Sequence, residues 1–296
     1  MKTYRVLSPL IGVCALLGLA TCTDHLTLPD TPGSTTNRLR VRRLTLDLPN
    51  NVQKVSLFRY DGQNRLSSIV LYQTPDSSVA PVEHTTYQYD GQSRLTQVRR
   101  EIMLRLAGSA PNPVEQYDFS YNAAGQVSWL SCGTPLGSFG VSLRYNSTNQ
   151  LAGSFRSFET GGLSWSQADE LTLTGDNITS VNRETSLIFK GGPPMISNET
   201  IALTYDNKRN PFNGVYVIPA PYPGFVFNPG TSGNFFYYAY YGGLSNLFNL
   251  SPNNLLTTGS STSYQYTYNT ADLPTVRQTI VSGAVTETLR FDYEPY

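Results

Sequence analysis

The chain has 296 residues, and its 21 Lys and Arg balance 21 Asp and Glu, which excludes the basic field that nucleic acid or an anionic membrane surface would require. Charged residues make up only 14% and aromatic residues 12%, with 20 Tyr among them, a balance that suits β-strands with one apolar and one polar face. With two His and three Cys, neither a histidine metal site nor a disulfide framework is in prospect.

Lys2 and Arg5 precede an apolar run from Val6 to Ala20. The run is shorter than the ~20 residues a spanning helix needs, so residues 1–21 read as a secretory signal. Leu19-Ala20-Thr21-Cys22 resembles a bacterial lipobox, which would make Cys22 the lipidated first residue of the mature chain. Its acyl chains would hold the protein to a membrane at ~0.8 kcal/mol per buried CH₂. Plain cleavage and a retained membrane anchor are the alternatives. Residues 22–37 are polar, Pro-bearing and aperiodic, and read as a flexible tether. Residues 38–296 then form a single repeat-built β domain. Cys14 leaves with the signal, so Cys132 reads as a small buried hydrophobe and the fold does not rest on an internal disulfide.

Within that domain one phrase returns. It reads Tyr60-Asp61-Gly62-Gln63-Asn64-Arg65-Leu66, then Tyr89-Asp90-Gly91-Gln92-Ser93-Arg94-Leu95. Looser copies begin at Tyr121 and Tyr145, and a weaker one at Tyr268. Further weak ones lie at Thr174-Gly175-Asp176-Asn177, at Tyr205-Asp206 (which meets Pro211) and at Tyr241-Gly242-Gly243. Asp or Asn after the Tyr can accept hydrogen bonds from backbone amides two residues on and start a turn. Gly62, Gly91 or Gly125 then supplies positive φ, and Asp61, Asp90 and Asp206 take equivalent turn positions. The flanks alternate: Tyr117, Phe119 and Tyr121 share one face, and so do Tyr264, Tyr266 and Tyr268, and Leu289, Phe291 and Tyr293. A mean period of about 30 residues allows two strands and two turns per unit. The expectation is an all-β antiparallel meander of roughly 16 strands, built from repeated hairpins and curled into a barrel-like or cocoon-like shell. Its Tyr-rich face would be covered and its Gln/Thr/Ser/Asp face wet. An ordinary β-sandwich is the plainer alternative.

The Tyr-Asp-x-x-Gly-Arg-Leu phrase resembles the YD repeat of RHS-type shell proteins, whose hairpins wind into a hollow β cocoon. The spacing here is longer than the unit usual there. Over residues 38–296 the chain is also similar to small Gram-negative lipoproteins of unknown function that have a porin-like β fold. That resemblance implies an outer-membrane location, on the periplasmic face or the cell surface. Neither family brings a catalytic residue, and no cofactor is implied.

Chemistry-bearing constellations are scarce. His84 sits in a strand-like stretch, and Asp169-Glu170 would point to opposite faces, a poor arrangement for a carboxylate pair. Residues 211–241 stand out for their aromatics and for Pro219, Pro221, Pro223 and Pro229. They read either as a loop folded over the sheet end or as a contact surface for a glycan or protein, with Tyr216, Tyr222, Phe225 and Phe227 as candidate contacts. Trp129 and Trp165 read as core or strand-face residues rather than sugar platforms.

Three functional expectations follow. The first is a non-enzymatic, lipid-anchored envelope protein that binds or scaffolds. The second is an integral outer-membrane barrel, against which stand the out-of-phase C-terminal Tyr296 and strands without a continuous apolar band. The third is a hydrolase of surface polysaccharide.

Overall fold

A computed structural model describes residues 38–78, 82–103, 114–134, 137–160, 162–214 and 251–296, all within one compact unit, Thr35–Tyr296. Cys22 and the candidate contacts Tyr216, Tyr222, Phe225 and Phe227 lie outside the described residues, as does the copy at Tyr241. The first eight strands are β1 (Leu39–Asp47), β2 (Gln53–Tyr60), β3 (Leu66–Thr74), β4 (Val82–Tyr89), β5 (Leu95–Met103), β6 (Val114–Tyr121), β7 (Val127–Thr134) and β8 (Gly137–Tyr145). The second eight are β9 (Leu151–Thr160), β10 (Leu163–Thr174), β11 (Asn177–Phe189), β12 (Met195–Arg209), β13 (Asn253–Thr258), β14 (Thr262–Tyr268), β15 (Pro274–Val281) and β16 (Ala284–Pro295). Each strand pairs antiparallel with its neighbours in sequence, and β1 pairs with β16, which closes the sheet into a barrel of 16 strands. Closure removes the exposed edges that a sandwich would leave, so the sandwich alternative falls. Among the described residues the one helical element is the three-residue turn Pro49–Asn51.

Up-and-down order gathers the repeated phrases on one rim. They join β2 to β3, β4 to β5, β6 to β7, β8 to β9 and β14 to β15. In each turn the Asx Oδ1 accepts two backbone N–H groups. For Asp61 the donors are Gln63 and Arg65, both at 2.9 Å, and for Asn122 they are Ala124 and Gln126, both at 3.0 Å. The positive φ falls three residues after the opener, on Asn64 (64°), Ser93 (62°), Gly125 (77°), Asn149 (64°) and Asp272 (58°). Gly125 meets the expectation. Gly62 and Gly91 do not: neither has a positive φ, and the left-handed slot comes two residues later. That slot shifts the ladder by one residue, so Arg59 faces Ser68 while Tyr60 faces Leu66.

Asp206 departs from the pattern. β12 runs on through it to Arg209, so it opens no hairpin. Instead its Oδ1 accepts the Lys208 and Asn254 N–H groups at 2.9 and 3.0 Å, and its Oδ2 accepts the Tyr268 hydroxyl. Asn210 N–H donates to the Pro252 carbonyl at 2.9 Å, tying together the two described flanks of residues 215–250 at the repeat rim.

Register fixes the inner face. Leu44, Phe58, Ile69, Tyr87, Val98, Tyr117, Phe119, Leu130, Val141, Val181, Leu203, Leu255 and Leu289 belong to one buried apolar cluster that reaches around the barrel. Ile69, Val98, Leu130, Val141, Val181 and Leu289 keep 0% of their surface exposed, so the interior at that level is filled. Phe212, just after β12, turns inward between Phe58 and Phe291 with ring centroids 6.3 and 6.2 Å away. Burying a side chain of that size contributes about 1.5–3 kcal/mol.

Further from the repeat rim the inner face becomes charged. Arg100 lies between Glu83 (Nη2–Oε2 2.6 Å) and Glu115 (Nη1–Oε2 3.1 Å), and the Tyr117 hydroxyl also donates to Glu115. Asp169 accepts from Arg183 Nε at 2.8 Å and from Gln167 Nε2 at 2.9 Å, while Arg156 Nη2 donates to Gln167 Oε1 at 2.6 Å. The covered face is therefore apolar near the repeated turns and ionic beyond them. Carboxylates accept and guanidinium groups donate, which is how buried charge is tolerated.

Candidate binding surface

The outer wall differs between the two halves of the barrel. Over β1–β6 and β16 it carries long charged side chains, among them Arg59, Arg99, Glu101, Asp118, Arg290 and Asp292, and an Arg290–Asp47 pair at 2.9 Å. Over β7–β12 it is lined largely by small or amide side chains. The register lays Ser131, Gly140, Ser157, Ser166 and Ser186 in one row across five strands. The next row reads Trp129, Ser142, Phe155, Ala168, Glu184 and Asn198. A third holds Arg144, Gly153, Glu170, Asn182 and Thr200.

Two aromatic side chains stand on this surface in the open, Trp129 at 45% exposure and Phe155 at 49%, with Ile188 and Ile196 exposed further along on β11 and β12. Gly140 explains the pose of the first. A Cβ at Gly140 would fall 2.0 Å from Trp129 Cζ2 and 2.2 Å from Cη2, so the indole lies against a stretch of backbone that has no side chain. Gly153 does the same for Arg144, whose Nη2 lies 3.0 Å from where a Cβ would be, and whose guanidinium pairs with Glu170 across it. Beside the aromatics, Ala168, Glu170, Asn182, Arg183, Glu184, Asn198, Glu199 and Thr200 line a shallow depression in the wall. With strands ≈ 4.8 Å apart, Trp129 and Phe155 are separated by roughly 10 Å across Ser142.

The other singled-out residues are dispersed. His84 is on the outer wall of β4, between Val70 and Glu101. Asp169 points inward at 2% exposure and Glu170 outward, so the two carboxylates do face opposite sides of the wall. Trp165 is a core residue at 4% exposure, and Trp129 a strand-face residue. Cys132 sits on β7 opposite Tyr117. Parity with inward Leu130 was the signal for Trp129, whereas nothing within β9 signalled Phe155. Trp129 alternates with inward Leu130, and Phe155 lies between inward Ser154 and Arg156, an inversion that apolarity alone assigns to the wrong face.

No protein-family model matches the chain, and no curated protein matches it. Among solved structures it is similar to a porin-like protein from Bacteroides uniformis, with 13% identity and TM-score 0.46 over 85% of this chain and 96% of that one. A porin-like protein from Bacteroides vulgatus gives 12% identity and TM-score 0.37 over 88% and 100%. The TcdB2-TccC3-Cdc42 complex gives 14% identity and TM-score 0.29, over 83% of this chain and 12% of that one.

Proposed function

We propose that this chain is a non-enzymatic envelope protein, lipid-anchored through Cys22 at the outer membrane, whose barrel stands in water and binds or scaffolds through its wall. One observation carries the reading: the outer wall is polar and charged at mid-strand. Arg99, Asp118 and Arg290 all project from it. On a lipid-facing strand each Arg at the bilayer midplane would cost about 2–4 kcal/mol, and an apolar band about 25 Å tall would be required. The filled interior points the same way, since burial inside rather than outside supplies the apolar contact.

A second reading is an integral outer-membrane barrel. It is favoured by full closure of an even number of antiparallel strands, the architecture such barrels use. Expressing the protein from about Thr36 without detergent separates the two. A monodisperse β-rich species in plain buffer is the expected result; aggregation relieved only by detergent would transfer the conclusion to the membrane-spanning reading.

A further inference from the structure

We infer that the outer wall over β7–β12 is a carbohydrate-binding surface for a neutral, extended sugar chain, with Trp129 and Phe155 as its two stacking platforms. The inference rests on the water-facing reading of the wall and names the ligand class for it. A soluble surface scatters single apolar residues, but it seldom clears the space for one to lie flat. Here Gly140 does so, with Trp129 ring atoms where its Cβ would be, leaving the other indole face open at 45% exposure. An open π-face is electron-rich and attracts the partially positive C–H face of a pyranose. Phe155 supplies a second ring two strands on, and the intervening Ser142 is too small to lift a chain laid across both.

Polar groups continue the same row. Glu184 and Asn198 follow Phe155 beyond Ala168, and Asn182 and Thr200 lie beside them in the depression. Amide, hydroxyl and carboxylate groups beside aromatic rings are the few placed polar contacts that fix a ligand's orientation in an otherwise stacking site. Charge selects among sugars. Arg144 is matched by Glu170 and Arg183 by Asp169, which leaves Glu184 and Glu199 as excess negative charge and disfavours uronic or sulfated chains.

The test uses the full chain on an array of neutral glucan and mannan oligosaccharides, with polygalacturonate as the anionic comparison. Binding of a neutral chain is expected, weakened at least tenfold by Trp129→Ala and by Phe155→Ala, with melting temperatures unchanged. Gly140→Ala keeps the tryptophan but displaces it, and should weaken binding as well. Should Trp129→Ala fail to fold, Phe155→Ala and Gly140→Ala decide. A silent array, stronger binding to polygalacturonate, or neutral binding untouched by the folded variants would each overturn the proposal. A silent array from protein that is monodisperse without detergent removes only the sugar assignment, whereas a requirement for detergent removes the water-facing reading itself.

Discussion

Replacing Tyr89 by Phe removes one oxygen and tests the device that recurs most often in this barrel. The Tyr89 hydroxyl donates to the Leu66 carbonyl at 2.8 Å, and burial holds its pKa well above the usual tyrosine range, with the Arg65 cation pulling the other way. It is therefore a protonated donor at any working pH. Arg65 lies over the ring at 4.3 Å, and that contact survives in Phe, so the variant isolates the hydrogen bond. A net hydrogen bond contributes about 0.5–1.5 kcal/mol, and leaving the largely buried Leu66 carbonyl short of a partner raises the loss to about 1–2 kcal/mol. In a domain of this size that lowers Tm by roughly 2–4 °C per kcal/mol. Tyr121 and Tyr145 make the same bond to Leu95 and Val127, each at 2.7 Å. These tyrosines stand on alternate strands, roughly 10 Å apart, so the triple Phe variant should lose nearly the sum, about 3–6 kcal/mol. Urea unfolding followed by circular dichroism measures it, with Tyr72→Phe on the outer wall as the reference. A triple variant within about 0.5 kcal/mol of the parent would refute the hydrogen-bond account, given that hydrogen bonds of this type range upward from that value.

Other outcomes follow from the same turns. Ser93 holds φ 62° in the slot that Gly125 fills, so Ser93→Gly should stabilise by about 0.5–1 kcal/mol in urea melts, because relief of left-handed strain exceeds the entropy glycine adds to the unfolded chain. Partial burial works to raise the Asp61 pKa, but Arg65 and Gln63 hydrogen bonds hold it below the usual carboxylate range; the Arg94 backbone N–H leads the same depression at Asp90. Depressed carboxylates stabilise the fold above the unfolded value of ~3.9 and lose that contribution as pH falls through the folded value. The Asp61→Asn/Asp90→Asn pair keeps the turn acceptor that Asn122 and Asn146 already provide but loses the Arg65 and Arg94 ion pairs, so it should flatten the acid limb of a stability–pH profile by lowering stability at pH ~7 towards the acid value; an unaltered limb would refute this. Leu173 occupies the tyrosine slot on β10, opposite Ile178 as Tyr60 is opposite Leu66. Leu173→Tyr should reach the Leu151 carbonyl and raise Tm by a few degrees, at about 1 kcal/mol per added bond.

The meander and its strand number were legible because the turn chemistry is local. An Asx oxygen and a left-handed residue act within five positions, whatever the rest of the chain does. Asp206 misled for the complementary reason: the same dipeptide lies inside a 15-residue strand, where its carboxylate serves Asn254 and Tyr268 from distant strands. The ionic inner layer was half visible. Glu83 shares parity with Tyr87, and Arg100 with Val98, but only the register brings them together with Glu115. β9 inverts the usual expectation, with Arg156 inside at 1% exposure and Phe155 outside at 49%. Its own alternation does not assign such a strand, because the polar partners that let Arg156 face inward, Gln167 and Asp169, sit on the neighbouring strand β10.

The placement of the tyrosines accounts for their recurrence. Each repeated turn joins an even strand to the next odd one at the repeat rim, and the turn within each odd–even pair lies at the opposite rim. At the repeat rim the two ends of such a pair therefore have no covalent link. There the even strand's tyrosine donates to a carbonyl at the start of the preceding odd strand: Tyr60 to Val41, Tyr89 to Leu66, Tyr121 to Leu95, Tyr145 to Val127, Tyr205 to Ile178, Tyr266 to Leu255 and Tyr293 to Pro274, all between 2.6 and 2.9 Å. β10 lacks the tyrosine, and at that gap Gln150 Nε2 reaches the Gly175 carbonyl at 3.1 Å. Where β16 meets β1, Tyr296 N–H donates to the Arg38 carbonyl and Arg40 pairs with Glu294. In the copies at Tyr60, Tyr89, Tyr121 and Tyr145 the phrase thus joins one hairpin to the next through its Asx turn and clasps the open end of a hairpin through its tyrosine; at Tyr268 the two roles part, with Tyr266 clasping Leu255 and Tyr268 donating to Asp206. Where it recurs, one short sequence thereby specifies both kinds of junction along this rim, which leaves the wall free to vary from strand to strand.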